Sequence, residues 1–483
     1  MSIKEKRFDQ AGIMPYFFDE RGLKIRAPLA IKKALLSTFE GHVTSRTHPL
    51  PPVKILHQNQ PHFLLLNVSD ATRSWQGKWQ LHLEDGAGIL EGKVKKNSIT
   101  LPRDLPLGYH DLVLHGGKEE VHCRLIVAPQ RCYEPEAFAE QKKLWGSFIQ
   151  LYTLKSARNW GVGDFGDLQE FIRGLAPYQA DFLGLNPIHA LFPGNPDGAS
   201  PYSPSSRKWL NIIYINIDQL PEFQQSAEAK RWFNSAEVQE KLNALRAAEW
   251  IDYAEVMALK LKGLHFAFAE FKENPTALSQ QAFANFVRNG GESLQVQATF
   301  DALHAHLSAR YREQWGWDFW APEFQDYHSE VVAQFRRQYG EKIEFYAWLQ
   351  FCADQQLAEC DALCKAQQMT IGMYRDLAVG VTGSGSETWS DKELYCLRAS
   401  VGAPPDVLCP QGQNWGLTPM NPHILKQRAY QPFIDLVRAN MNHCGALRID
   451  HIMSLLRLWW IPKGDSAANG AYVRYPVDDL IAI

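Results

Sequence analysis

The pattern of hydrophobic and polar positions changes character near residue 130. Between about 46 and 130, short hydrophobic runs such as FLLLNV, WQLHLE and CRLIVAP alternate with Gly, Asn and Asp turns at close spacing. This texture is typical of a small antiparallel β-sandwich. In residues 1–45 the hydrophobic positions recur at helical spacing, which predicts a short helical lead-in.

From residue 131 onward, hydrophobic runs bounded by turns alternate with amphipathic helices. The order WGSFIQLYTL, DLQEFIRGLAPYQ, DFLGLNPIH predicts a β-α-β unit with parallel strands, in a doubly wound sheet or a (β/α)8 barrel. Residues 222–365 have an almost wholly helical pattern and form a predicted insertion. Strand patterns return at 369–380 and 445–451, separated by a predicted long loop over 380–420.

These patterns give four candidate parallel strands, whereas a closed barrel of this kind has eight. We therefore expect residues 131–483 to be the first half of a catalytic barrel. We also expect the chain to stop before that barrel is complete.

Composition narrows the class of protein. A net charge of −3 and 21% charged residues give no reason to expect nucleic acid or a membrane as a partner. The charged N-terminus lacks the apolar core of a signal peptide, and no run approaches the length of a membrane span, so we expect a cytoplasmic protein. Aromatic residues reach 12%, which suits stacking on sugar rings and equally suits a large core.

The cysteines and histidines do not predict a metal site. Cys360 and Cys364 lie one helical turn apart, but no second pair stands at ligand spacing. We expect buried reduced thiols, no metal and no cofactor.

Polar residues at the ends of the predicted strands are the main candidates for chemistry, because the loops that follow barrel strands converge on one mouth. Arg448 and Asp450 of RIDH are two apart on a strand and share a face. An Asp beside a cation stays ionised, which suits a nucleophile, although a structural ion pair is an open alternative. The candidates, in strand order, are Asn159, Trp160, Gly161, Asp164 and Asp167; His189, Tyr202 and Asn211; Arg375 and Asp376; and Arg448, Asp450 and His451.

The predicted loop over 380–420 contains one aromatic residue in a polar setting. Trp415 stands between Asn414 and Gly416, where an indole could serve as a platform for a sugar or as an anchor of the loop. The sequence leaves both open. Residues 382–387 are expected to add only flexibility.

Five segments in order resemble the amylomaltase family of 4-α-glucanotransferases: LWGSFIQLYTLKSARNWGVGDFGDL, LGLNPIHALFPGNPDGASPYSPSSRKWLN, IGMYRDLAVGV, SVGAPPDVLCPQGQNWGLTPMNP and CGALRIDHIMSLLRLWWIP. The resemblance covers residues from about 131 to the end. It implies a (β/α)8 barrel with inserted subdomains, preceded by a β-sandwich. It further implies transfer of α-1,4-glucan segments between maltodextrins by a retaining mechanism, with no cofactor.

The resemblance also implies roles for individual residues. Asp450 resembles the family's nucleophile, Arg448 the arginine that holds it, and Asp376 a second aspartate at the barrel mouth. The implied substrate contacts are Tyr202 beneath the reacting sugar, Trp415 on the acceptor side, Asp406 in the covering loop, His451 and Asn186.

One part of the family pattern is missing. The general acid/base Glu of an EDLG-type motif and the Asp of a THD motif occur nowhere in the 483 residues. Without an acid the leaving oxygen is not protonated, so we expect this chain alone to be inactive. The alternatives are an amylase-type hydrolase and a non-catalytic glucan-binding fragment.

Overall fold

A computed structural model describes residues 3–39, 48–67, 75, 77–116, 119–140, 142–308 and 316–483. Throughout these ranges, no helix combines the length and the apolar character that crossing a bilayer requires.

The N-terminal segment holds two helices with a β-hairpin between them. The helices are α1 (Ile3–Gln10) and α2 (Leu29–Thr38), and strands β1 (Tyr16–Phe18) and β2 (Lys24–Arg26) form the hairpin. The predicted helical lead-in thus contains two helices, and between them the turn at residues 19–23 brings two short strands together that the sequence pattern did not predict. The boundary predicted at residue 45 lies outside the described residues.

The predicted β-sandwich is present. Its strands are β3 (Val53–His57), β4 (His62–Leu65), β5 (Lys78–His82), β6 (Ile89–Lys93), β7 (Ser98–Leu101), β8 (Gly108–Gly116) and β9 (Glu119–Ala128). One sheet has the order β3-β9-β8-β5-β6, and β4 pairs with β7. Leucines at alternate positions, such as Leu81, Leu112 and Leu125, fill the space between them. The β3–β9 pair is parallel, unlike the antiparallel pairing that we expected.

A short helix and two parallel strands begin the next region. The elements are α3 (Glu136–Ala139), β10 (Gly146–Ile149), α4 (Phe165–Leu175), β11 (Phe182–Leu185), β12 (His189–Ala190) and β13 (Ser206–Leu210). Strand β10 pairs in parallel with β11, whereas β12 and β13 form an antiparallel pair beyond it. The predicted β-α-β unit is thus confirmed.

Helices fill the insertion expected after the second barrel strand. They are α5 (Pro221–Gln225), α6 (Ala227–Phe233), α7 (Ala236–Ala247), α8 (Tyr253–Glu273), α9 (Ala277–Ser308), α10 (Glu330–Gln338) and α11 (Gly340–Ala366). The side chains of Ser226, Ser235, Asp252 and Ser329 accept backbone N–H groups at helix starts. The apolar faces of α8, α9 and α11 share one large core with the parallel sheet.

The remaining elements alternate between the parallel sheet and a second sheet. They are β14 (Gly372–Leu377), β15 (Val381–Thr382), α12 (Ser386–Ser390), β16 (Ala399–Ala403), β17 (Gln413–Thr418), α13 (Pro422–Gln427), α14 (Gln431–Met441), β18 (Ala446–Ile449), β19 (Arg457–Pro462), β20 (Ala471–Arg474) and α15 (Val477–Ala482). The parallel sheet has the order β10-β11-β14-β18. These four strands in sequential order are those of the expected (β/α)8 architecture.

The predicted loop over 380–420 is instead part of a five-stranded antiparallel sheet with the order β15-β17-β16-β19-β20. Strand β16 pairs with β19, which lies beyond β18 in the chain. The prediction of a loop is wrong because β16 pairs with a strand from a distant segment of the sequence, and the local pattern does not show this pairing. Strands of the second sheet therefore lie both before and after β18 in the sequence.

Candidate active site

Strands β14 and β18 are direct neighbours and bring three charged residues together. Their parallel register places Asp376 opposite Arg448. Nη1 of Arg448 donates to Asp376 Oδ1 at 2.6 Å and to Oδ2 at 2.5 Å, while its Nη2 donates to Asp450 Oδ1 at 3.0 Å. One guanidinium thus links both carboxylates.

The electrostatic environment of the three groups is asymmetric. Burial raises the pKa of Asp376, although the hydrogen bond and charge of Arg448 oppose this rise, and the nearby charge of Asp450 adds to it. The hydrogen bond to Asp376 raises the pKa of Arg448. Asp376 is buried, whereas Asp450 is partly exposed. Asp450 is therefore the carboxylate that a substrate can reach.

Aromatic side chains stand around the charged trio. The Tyr202 hydroxyl hydrogen-bonds to Asp376. Burial raises the Tyr202 pKa, and the charges of Asp376 and Asp450 add to the rise. Tyr202 is 40% exposed, so a ligand can reach this residue.

Trp415 reaches the same site through His451, which follows Asp450 directly. The two ring centroids are 5.1 Å apart at an angle of 81°. His451 has a left-handed backbone with φ 50°, which turns the chain sharply after Asp450. Burial lowers the His451 pKa, against the opposing effect of Asp450. Trp415 is half-buried, and its indole donates to Gln413 Oε1 at 3.0 Å.

Arg375 is not part of this arrangement. It is buried on the other face of β14, and its Nη1 donates to the carbonyls of Ala439 and Asn442, each at 3.1 Å. Adjacent residues in a strand point to opposite faces, so Arg375 cannot pair with Asp376. Of the two candidate arginines, Arg448 therefore bonds both aspartates and Arg375 bonds neither.

Two predicted substrate contacts lie elsewhere. Asn186 is buried, with Oδ1 accepting from Leu151 N at 2.9 Å and Nδ2 donating to Pro187 O at 2.9 Å. Its amide is hydrogen-bonded to the backbone, and the substrate role of Asn186 stays a prediction. Asp406 Oδ1 accepts from the N–H groups of Leu408 and Cys409 in a turn. With Phe17 and Trp459 it lines a separate cavity of about 430 Å³.

The candidates after the first strand hold a helix start. Asp164 and Asp167 form the capping box of α4. Asn159 donates to Asp167 at 2.9 Å, and the buried Trp160 donates to Asp218 at 3.1 Å. The hydrogen bonds of these four side chains therefore stabilise local structure. Gly161 belongs to the same turn. Asn211 likewise accepts the N–H of Ile213 at 3.1 Å.

Tyr374 is a site residue that sequence reasoning missed. It lies two residues before Asp376 on β14, and therefore on the same face. Burial raises its pKa. The nearby charge of Asp376 adds to this rise, and the charge of Arg448 opposes it. Its ring covers Gly184, where a Cβ would lie 2.1 Å from the Tyr374 Cζ. The sequence signal that could have identified Tyr374 was the alternation of side chains along residues 374–376.

Glu387 was also misjudged. It is buried, and its carboxylate accepts from Ser206 Oγ at 2.9 Å and from the Arg207 N–H at 2.6 Å. It does not belong to a flexible segment. As for metals, no cluster of three or more potential ligands occurs among the residues that the structure describes.

Comparison with known proteins identifies the family of this chain. The family model described as 4-alpha-glucanotransferase matches residues 149–483, and the model of the MalQ N-terminal beta sandwich domain matches residues 49–129. The chain belongs to the 4-alpha-glucanotransferase family. This membership and the fold bear out the resemblance seen in the five sequence segments.

Individual relatives give the same picture. The 4-alpha-glucanotransferase of Haemophilus influenzae is 42% identical over 432 residues, covering 88% of this chain and 62% of the relative. That of Mycobacterium tuberculosis is 31% identical over 458 residues, covering 90% and 61% respectively. The chain thus matches less than two thirds of the length of these relatives.

Among solved structures, amylomaltase from Corynebacterium glutamicum superposes with a TM-score of 0.83 at 28% identity, covering 99% of this chain and 69% of the other. Amylomaltase from Streptococcus agalactiae in complex with acarbose gives a TM-score of 0.59 at 20% identity, covering 71% and 66%. The latter shows similarity of fold.

Proposed function

We propose that this protein transfers α-1,4-glucan segments from a donor maltodextrin to the 4-hydroxyl of an acceptor, with Asp450 as the nucleophile. The observation that carries the proposal is the bridge from Arg448 to both Asp376 and Asp450, beside the exposed ring of Tyr202. The relatives named as 4-alpha-glucanotransferases support the substrate class. A cytoplasmic location stays a prediction.

In the first step an oxygen of Asp450 forms a bond to the anomeric carbon of the donor. The C1–O bond to the leaving sugar breaks, and its electron pair goes to the departing oxygen, which takes up a proton from a general acid or from solvent. Arg448 holds the attacking carboxylate in place through its Nη2–H. Asp376 fixes Arg448 from the other side, and the ring of Tyr202 supports the reacting sugar.

In the second step the 4-hydroxyl oxygen of an acceptor attacks the same carbon. The ester bond to Asp450 breaks and the carboxylate is restored, while the hydroxyl proton passes to a base. The Trp415 indole beside His451 offers an apolar face to the acceptor sugar. Stacking there favours a sugar over water, and hence transfer over hydrolysis.

A donor with a good leaving group tests the nucleophile by itself. Fluoride departs without protonation, so α-maltosyl fluoride requires Asp450 but no general acid. We expect the chain to release fluoride, and Asp450→Asn to slow release about 10⁴-fold. Asp435→Asn is the matched control, because Asp435 is an exposed carboxylate on α14 that accepts from Gln431 of the same helix. A chain that folds but releases no fluoride would contradict the proposal.

The same assay with maltotriose examines the general acid. A sugar oxygen needs a proton to leave, so turnover of maltotriose depends on general-acid catalysis, which contributes about 10²–10⁴-fold, whereas fluoride release does not. The expected inactivity stays a prediction until this is measured, and full disproportionation activity would refute it. A ladder of longer products indicates transfer, while only shorter products indicate hydrolysis.

A further inference from the structure

The backbone directly after Asp376 carries more than its own strand. Leu377 O accepts the N–H of Asp450 at 3.0 Å. The position of the nucleophile therefore depends on where residues 377–379 lie. Leu377 is the last residue of β14, and the backbone of Ala378 and Val379 after it is bound by two side chains of the β12–β13 pair.

His189, on β12, is the first of these side chains. Its Nε2 lies 3.1 Å from Ala378 N and accepts that N–H. The ring is buried, and burial lowers its pKa well below the usual value, as do the charges of Arg375 and Arg207. A ring nitrogen that accepts carries no proton, so the neutral ring is protonated on Nδ1.

Arg207, on β13, is the second. Its Nη1 donates to the carbonyls of Ala378 and Val379, each at 3.2 Å. Its own backbone is fixed, because its N–H donates to the buried carboxylate of Glu387 and its carbonyl accepts from Asn440 Nδ2 at 2.9 Å. Together His189 and Arg207 bind the N–H and C=O of Ala378 from one side.

We propose that His189 and Arg207 are positioning residues for glycosyl transfer. They fix the backbone of residues 377–379 and thereby set the distances among the side chains of Asp376, Arg448 and Asp450. This inference rests on the proposed function, since it takes Asp450 as the reacting carboxylate. Both side chains act on the backbone after Asp376, since their hydrogen bonds here go to the N–H and C=O groups of Ala378 and the C=O of Val379.

Amide hydrogen exchange measures this support without any turnover. In His189→Leu the acceptor is lost at nearly constant volume, and we expect exchange at Ala378 and Asp450 to accelerate roughly 10-fold or more. In His189→Gln the side-chain oxygen can accept the same N–H, and we expect exchange close to that of the native chain. Unchanged exchange in His189→Leu would overturn the proposal.

The matched control is His110→Leu in the sandwich. His110 is also buried, and its Nδ1 accepts the N–H of Glu84 at 3.1 Å. This variant loses the same kind of hydrogen bond far from the site, so it should leave exchange at Ala378 and Asp450 unchanged. Thermal unfolding of all three variants identifies any that fail to fold, and the Gln variant then decides.

Kinetics with α-maltosyl fluoride separates positioning from stability. We expect His189→Leu to lower kcat about 10- to 100-fold with KM nearly unchanged, and His189→Gln to recover most of the loss. Accelerated exchange with an unchanged kcat would overturn the positioning role. A native chain that releases no fluoride refutes the proposed function instead, while the exchange data still decide whether the support exists.

Discussion

At the scale of single residues, the chemistry follows from the alternation of side chains along strands. The period of two predicts that Arg448 and Asp450 share a face, and the two side chains are indeed hydrogen-bonded to each other. The same alternation places Arg375 on the opposite face of β14 from Asp376. It also places Tyr374 on the same face as Asp376, and could have identified Tyr374 as a site residue. Asn186 could not be judged this way, because its amide is used by the backbone of Leu151, which belongs to a different segment.

Trp415 is the residue whose two interpretations an experiment can separate. It is half-buried and touches His451, so truncation removes a candidate acceptor platform. We expect Trp415→Ala to raise the KM for acceptor sugar roughly 5- to 30-fold, as the loss of about 1–2 kcal/mol of stacking implies. Fluoride release in the absence of acceptor should change little.

Trp250→Ala is a suitable control for Trp415→Ala, since the Trp250 side chain is 81% exposed. A fall in melting temperature with an unchanged acceptor KM would identify Trp415 as a structural anchor only. The sequence alone cannot distinguish the two roles, because both require an indole in a polar segment.

At the scale of elements, local patterns identified β14 and β18 and the long helices, whose hydrophobic periods are complete within each segment. They failed over 380–420, where β16 is covered by β19 from more than 50 residues away. They also failed at the N-terminal hairpin, whose strands are only three residues long. Short strands carry too few positions for a period to emerge.

At the scale of a single helix, a buried carboxyl group in α9 is expected to make the stability of the protein depend on pH. Asp301 is buried and accepts from Gln297 Nε2 at 3.0 Å, and burial raises its pKa to about 8. The folded state therefore retains a proton that the unfolded state loses above about pH 4. This contribution to stability is complete below that pH and disappears as pH rises towards 8.

We expect Asp301→Asn, which is neutral at every pH and similar in shape, to remove this dependence. At pH 8 the variant should exceed the native chain in free energy of unfolding by on the order of 2–5 kcal/mol, with a smaller difference at pH 5. Urea unfolding at both pH values measures this. An equal free-energy difference at the two pH values would contradict the assignment.

At the scale of the whole molecule, the N-terminal segment and the C-terminal sheet form one core. Phe39 is fully buried and stacks on Trp460 with centroids 5.4 Å apart, and Leu35 lies in the same cluster. The sandwich also contributes to this cluster through Val53 and Ile126, and the ion pair of Arg438 with Glu84 at 2.7 Å adds a polar contact. The first helices and the sandwich are therefore both bound to the catalytic region by apolar contacts.

Phe39→Ala tests this apolar contact. We expect a loss of about 3–5 kcal/mol in the free energy of unfolding, because a large buried ring is removed. Exchange of amide hydrogens in α2 should accelerate. Leu29→Ala on the same helix is the control, since Leu29 is half-exposed. Equal effects of the two variants would show that α2 is not held by this cluster.

The bridge between Ile13 and Val473 has a consequence for biosynthesis. A ribosome produces Ile13 long before Val473, so helices α1 and α2 emerge before the surface that receives them exists. At elongation rates of roughly 5–20 residues per second, they wait for tens of seconds with apolar side chains uncovered. A chaperone that holds nascent chains would find its target on these two helices.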